Sequence, residues 1–360
     1  MRVADFYNRF QRTLMISLTA RCNIECAHCA VWSGPERAER LSREQLVPEL
    51  AELLEGGWID AMAVSGGEPF LELDTLREIA ALARRRAAPL AVHTNGFWAK
   101  THGRARELLQ GLPGITQLQV STDEYHQEHL PLERVRNAIK AAVDCGLQAE
   151  LLVCTWQGDQ DPFRHQVRSV MGEDLLARVR VLPSVIDPVG RAASLSERCI
   201  EPLRAELPAG RCLQVNRPTL AEDGHLCACC NLSVANRSAP NPLRLGNLST
   251  GSLTDILDRS EQDWLLHALR VGGPRYLAEL ARTRGVDGVS AKRYRRGAIC
   301  DLCADLWADP TTSEAVQKAL GDADVQAEIA SLRALLYRET GMLEAALAES
   351  GVEQTVAAVE

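Results

Sequence analysis

The stretch TLMISLTARCNIECAHC, Thr13–Cys29, decides how the rest of the chain is read. Its first seven residues are mostly apolar or β-branched, in a run of the length a single buried strand needs. Three cysteines follow at the spacing C-x3-C-x2-C, namely Cys22, Cys26 and Cys29, on the loop that leaves this strand. Thiols so close together in a reducing compartment suit a metal centre better than disulfides. Two centres are compatible with the spacing. One is a [4Fe–4S] cube, three of whose irons take thiolates while the fourth lacks a protein ligand. The other is structural zinc, with His28 as fourth ligand.

Working outward, short apolar runs alternate with amphipathic stretches. Strands are expected at Thr13–Thr19, Ala61–Ser65, Leu90–Asn95, Thr116–Ser121, Ala149–Thr155 and Val179–Ser184. Helices are expected at Ser42–Glu55, Leu73–Arg86, Gly103–Gln110, Leu132–Cys145, Pro162–Ala177 and, briefly, after Gly190. Ser42 with Gln45 reads as a capping box, Gly56-Gly57 as the helix end, and Pro48 as a kink or a later start. Repeated β-α units imply a parallel sheet. Six of them make a partial (β/α)6 TIM barrel, with its active site at the strands' C-terminal ends.

Polar groups fall at those ends. Ser65-Gly66-Gly67-Glu68-Pro69 follows the second strand, Thr94-Asn95-Gly96 ends the third, and Ser121-Thr122-Asp123 ends the fourth. After a C-x3-C-x2-C loop, and in this order, the set over residues 12–195 resembles the radical S-adenosylmethionine (radical SAM) superfamily. The resemblance implies that Cys22, Cys26 and Cys29 bind a catalytic [4Fe–4S] cluster whose open iron takes S-adenosylmethionine. It further implies that Gly66, Gly67 and Glu68 bind the methionyl amino group. Asn95, Ser121 and Asp123 are then contacts to the carboxylate or ribose, and His28 stands where an aromatic residue packs near the adenine. Pro188-Val189-Gly190-Arg191 resembles a turn found after the sixth strand in many members. On this reading Gly67→Val abolishes cofactor binding without touching cluster iron, and Glu68→Gln weakens binding roughly ten- to thirtyfold by losing a charge-assisted bond.

The composition agrees with an ordinary globular chain: 360 residues, 46% hydrophobic, 24% charged, formal net charge -8. The acidic balance argues against nucleic-acid binding driven by charge. No uncharged stretch approaches the ~18 residues of a membrane helix. Arg2, Asp5, Arg9 and Arg12 leave no apolar run for a secretory signal, so a cytoplasmic protein is expected. Of twelve cysteines, Cys145, Cys154 and Cys199 stand alone and read as small buried hydrophobes.

The β-α pattern stops near residue 200. A hairpin is expected with arms Leu213–Val215 and His225–Cys229 around Asp223-Gly224, then a polar loop at 238–250 and helices near 252–270 and 274–284. Residues 282–296 carry Arg282, Arg284, Lys292, Arg293, Arg295 and Arg296 against Asp287 alone, a solvated face or a docking patch for an acidic partner. Residues 311–360 hold nine acids against three bases. Cys212, Cys229, Cys300 and Cys303 supply four thiolates, enough to close a cluster, with structural zinc as the competing occupant. The region resembles the auxiliary-cluster appendages called SPASM and Twitch. The shorter Twitch-like form fits better, since no cysteine follows Cys303. Cys227 and Cys230 remain over, as substitutes for Cys229, as packing, or as a hydrogen-atom donor. The domains are then a barrel at 1–200, an auxiliary-cluster domain at 201–308 and an acidic helical tail at 309–360.

The resemblance implies an enzyme that cleaves S-adenosylmethionine reductively to a 5′-deoxyadenosyl radical and abstracts hydrogen. The leading substrate is a ribosomally made peptide, modified by a thioether or carbon–carbon link or by epimerisation. The alternative is a small-molecule dehydrogenase, mutase or epimerase; a non-catalytic iron–sulfur or zinc scaffold is a third reading. An external electron donor such as flavodoxin or ferredoxin is implied. With the first strand starting near residue 13, binding of a peptide leader falls to a separate protein if one is needed.

Overall fold

The computed structural model describes residues 12–156, 161–199, 201–231 and 241–339. Strand β1 is Thr13–Ser17, followed by helix α1, Arg43–Glu55. β2 is Ala61–Ser65 and α2 is Leu73–Arg86. β3 is Leu90–Thr94 and α3 is His102–Gln110. β4 is Gln117–Thr122 and α4 is Leu132–Asp144. β5 is Gln148–Thr155, α5 is Phe163–Met171 and β6 is Arg180–Val185. The six strands pair in chain order and all in parallel, which makes the partial (β/α)6 barrel.

The helices form where their apolar residues line up. In α4, Leu132, Val135, Ala138, Ile139 and Ala142 recur at three- and four-residue spacing and are all buried. α2 carries Arg84, Arg85 and Arg86 in its last turn, where the helix dipole favours cations, and stops at Ala87 in the left-handed region.

Local expectations differ in three places. Ser42 does precede α1, but its hydroxyl bonds Glu44, and Gln45 reaches across to the Leu248 carbonyl at 2.8 Å. The capping box therefore gives way to a tertiary contact, and Pro48 lies inside a continuous helix. The helix expected at Pro162–Ala177 breaks at Gly172 (φ 78°), leaving α5 and a turn at Glu173–Leu176. Residues 252–270 form two helices, α6 at Leu253–Ser260 and α7 at Trp264–Val271, because Asp263 caps the second by accepting from the Leu265 amide.

The hairpin is displaced and does not stand apart. Leu213–Asn216 is a short 3-10 turn. The arms are β7, Thr219–Leu220, and β8, His225–Cys227, with β9, Arg244–Asn247, beside β8. β7 pairs in parallel with β1, Met15 opposite Thr219 and Ile16 opposite Leu220, so the hairpin continues the barrel sheet. Leu220, Leu226, Leu253 and Ile256 accordingly belong to the barrel's core.

A second core gathers α7, α8 (Gly273–Thr283), α9 (Ile299–Ala308), α10 (Pro310–Leu320) and α11 (Ala323–Tyr337) around Leu266, Leu277, Leu306 and Val316. The C-terminal segment is thus packed as far as it is described; residues 340–360 of the expected tail, and 238–240 of the polar loop, lie outside the described residues. Four of the six cations in 282–296 are ion-paired: Arg282 with Asp287, Arg284 with Asp322, Lys292 with Asp305 and Arg295 with Asp301. The patch is largely neutralised from within. Among the described residues no helix is long and apolar enough to cross a membrane.

Candidate functional site

The cysteine loop is tied down from two sides before any ligand is considered. On one side stand the glycines after β2. Gly67 donates its amide to the Thr19 carbonyl at 2.6 Å and Glu68 to Arg21 at 2.9 Å. A Cβ on Gly67 would lie 2.1 Å from the Arg21 oxygen, and one on Gly66 2.6 Å from Thr19. Gly66 also has φ +132°, a conformation that L side chains rarely adopt. The paired glycines therefore admit the cysteine loop's own backbone. A side chain at residue 67 would therefore meet the loop as well as the cofactor region, where the sequence reading expects an effect on cofactor binding alone.

On the other side is the Pro188–Arg191 turn. The Arg191 amide donates to the Cys29 carbonyl at 2.9 Å, while its guanidinium donates to Cys26 at 2.9 Å and Ser33 at 2.6 Å. Gly190 sits at φ +60°, with the Ala30 oxygen 2.3 Å from where a Cβ would be. The turn expected after the sixth strand is thus a clamp on the loop.

The strand ends carry the polar groups. Glu68 is fully buried, and its carboxylate accepts from the Phe70 amide at 3.1 Å, the Thr94 hydroxyl at 2.8 Å and the Asn95 amide at 2.9 Å. Burial pushes its carboxyl up to about 7 despite these bonds. The side chain ties the end of β2 to that of β3. Asn95 donates to the Asn23 side chain at 3.0 Å and approaches the Cys22 sulfur at 3.6 Å.

Asp123, also fully buried, faces two imidazoles: His28 Nε2 at 2.9 Å and His126 Nδ1 at 2.7 Å. Burial works to raise its carboxyl, yet the His126 and His28 rings beside it hold it well below the usual range. His28 stacks on Tyr125 with ring centroids 4.9 Å apart. Tyr125 is held by Trp156 Nε1 at 2.8 Å and by the Arg198 guanidinium.

These groups border a cavity of about 410 Å³ at the C-terminal ends of the strands. Cys22, Cys26 and Cys29 line it together with Gly66, Gly67 and Asn95, and Ser121 and His28 do as well. Glu68 and Asp123 stand behind its wall. Burial pushes the Cys22 thiol up to about 12 and that of Cys26 higher still. Such thiols become thiolates when a bound metal offsets the charge. The donor set suits a cluster with three protein ligands and one open iron, and the cavity leaves room beside it.

Cys212, Cys229, Cys300 and Cys303 meet at a second, apolar cavity of about 20 Å³. Trp307 Nε1 donates to the Cys303 sulfur at 3.2 Å and the Asn231 amide to that of Cys229 at 3.3 Å. Burial raises the Cys212, Cys229 and Cys303 thiols. The two spare cysteines part company. Cys227 is fully buried and packs with Ala221, Val31 and Cys229. Cys230 opens onto the large cavity with the first cysteine loop. His126 and Asp187 line that cavity too and escaped the sequence reading, and Cys154, expected as a small buried hydrophobe, is half-buried and lines it as well. For Cys154 the available signal was its place at the end of β5.

Residues 16–153 match the Radical SAM superfamily. The chain is 19% identical over 304 residues to "Putative peptide biosynthesis protein YydG" of Bacillus subtilis (strain 168), covering 83% of this chain and 92% of that one. It is 31% identical over 154 residues to a GTP 3′,8-cyclase of Peptoclostridium acidaminophilum, covering 40% of this chain and 46% of the cyclase. The chain thus spans about half the length of such cyclases. Among solved structures, Streptococcus suis SuiB bound to S-adenosylmethionine aligns over 72% of this chain and 68% of that one, at 11% identity and a TM-score of 0.40. That likeness is too remote to bear on function.

Proposed function

We propose that this radical SAM enzyme acts on a ribosomally made peptide and inverts a carbon centre in it. Cys22, Cys26 and Cys29 hold the catalytic [4Fe–4S] cluster, with Asn95, Ser121 and the backbone of Gly66 and Gly67 toward S-adenosylmethionine. Cys212, Cys229, Cys300 and Cys303 hold an auxiliary cluster in a Twitch-like module. When bound, the catalytic cluster and S-adenosylmethionine supply a 5′-deoxyadenosyl radical, which takes hydrogen from an unactivated carbon.

The observation that carries this reading is the position of Cys230. It lines the large cavity with the first cysteine loop while lying beside Cys212, Cys229 and Cys300 of the second set, and so stands between the two. A substrate carbon that has lost its hydrogen in the large cavity can take another from the Cys230 thiol. If it does so on the opposite face, the centre is inverted. The sulfur regains its hydrogen from one proton and one electron, the electron coming from an external donor such as flavodoxin or ferredoxin. The peptide substrate class is supported by the match to the Bacillus subtilis relative along most of both chains, where the cyclases match only 40% of this one.

The test uses the peptides encoded by short reading frames beside this one, in deuterated solvent. Inversion adds one deuterium at the altered carbon, and Cys230→Ala stops incorporation while 5′-deoxyadenosine still forms. A product lighter by two hydrogens means a crosslink instead, and turnover of small molecules alone removes the peptide from the proposal.

A further inference from the structure

We propose that Cys26, His28 and His126 form a mononuclear site for a divalent metal, zinc by its donor set, and that this site competes with the iron–sulfur cluster for Cys26. One ligand atom of each residue lies within 4.8 Å of those of the other two, the one such group among the described residues. Tetrahedral zinc with Zn–N near 2.0 Å and Zn–S near 2.3 Å needs ligand atoms roughly 3.3–3.7 Å apart. The side chains must rotate to close the difference when the ion binds.

What marks the group as a site is Asp123. Metal-binding histidines hold their second ring nitrogen on a carboxylate, which fixes the tautomer and the ring plane. Here one buried carboxylate serves both rings, taking His28 through Nε2 and His126 through Nδ1. His28 Nδ1 is left with a lone pair, enclosed and without a hydrogen-bond partner. A buried polar nitrogen in that state is costly unless something fills it. The charges also close: a divalent ion is balanced by the Cys26 thiolate and the Asp123 carboxylate. Three protein ligands leave the fourth position open to water or to a neighbouring thiol of the loop.

Cys26 cannot serve both centres, so the zinc form is a state of the iron-free protein. While zinc is bound, a cluster cannot assemble on the loop.

Cobalt(II) is the probe, added without oxygen to full-length protein stripped of iron and followed by its absorption as a tetrahedral ion. The wild type should bind one equivalent beyond that taken by the four-cysteine set, and zinc should displace it. His126→Ala should lose that equivalent while still loading full iron on reconstitution, which shows that its fold is intact. His28→Gln should repeat the loss. Asp123→Asn should weaken cobalt binding roughly ten- to hundredfold. The double variant Cys22→Ala/Cys29→Ala should keep the equivalent. If His126→Ala binds cobalt like the wild type, or the double variant loses it, the ion belongs to the loop thiols alone and the proposal fails. It fails equally if the wild type takes up no such equivalent.

Discussion

The two cysteine sets contrast in what surrounds them. The first lies on a loop clamped by backbone bonds, from Gly67 and Glu68 on one side and Arg191 on the other, and opens onto a cavity of about 410 Å³. The second lines about 20 Å³ of apolar space at the edge of a helical core, with Cys303 buried, Cys212 and Cys229 half-buried and Cys300 exposed. Three thiols beside a large cavity leave a coordination site and the volume for a second molecule. Four thiols around a small one leave neither. On the function proposed above, the space next to the sulfur would tell a site that reacts from one that only holds, with the same residue type in both.

The sharpest way to break this contrast is to remove each set. Anaerobic reconstitution should yield about eight irons, four per cube. Replacing Cys22, Cys26 and Cys29 with Ala should remove half of them and all 5′-deoxyadenosine formation. Replacing Cys212, Cys229, Cys300 and Cys303 should remove the other half. Iron retained in full by the second variant would mean that the small cavity holds no cluster.

Gly67→Val comes next. Its side chain meets the Arg21 carbonyl, so the loop must shift. Both iron at the first site and S-adenosylmethionine binding should fall, read together by iron analysis and equilibrium binding. Loss of binding with iron unchanged would show that residue 67 touches the cofactor and leaves the loop in place.

Glu68→Gln is milder and depends on pH. In the iron-free protein, between the ordinary value of 4.5 and about 7, the folded chain holds a proton on Glu68 that the unfolded chain has released. Stability conferred by this group is full below 4.5 and is lost as pH rises through about 7. Urea midpoints across that window should decline in the wild type and decline less in Glu68→Gln. Equal slopes would remove Glu68 as the source.

The smallest effect is expected from Cys227→Ala, about 1–2 kcal/mol of stability for a small cavity and no change in iron. Iron loss in this variant would bring Cys227 into the second set, against its packing with Ala221 and Val31.

Much of the barrel was legible because a parallel strand buried on both faces is a short unbroken apolar run. Ala61–Ser65 and Leu73–Arg86 were read to the residue for that reason, one from its run and one from its helical period. The cysteines announced themselves by spacing. What could not be read was direction. Nothing in Ser-Gly-Gly-Glu-Pro says that the glycines face Thr19 and Arg21, or that Glu68 points toward Thr94 and Asn95. Nor does Asp123 reveal that it will hold His28, from a loop far back in the chain. The displaced hairpin has the same origin: Leu213 and Val215 alternate like a strand, but β1 offers its free edge to Thr219 and Leu220.

That last pairing orders events during synthesis. β1 leaves the ribosome well before its partner β7, which lies roughly two hundred residues later. At ~5–20 residues per second, on the order of 10–40 seconds pass before the edge of β1 can be covered. During that interval the loop bearing Cys22, Cys26 and Cys29 is already made, while Arg191, which clamps it, arrives only shortly before β7. Nascent chains therefore pass through a stage in which the thiols are present and their clamp is not. Iron delivery in that window would meet a loop still able to move, and delivery afterwards would meet one already fixed.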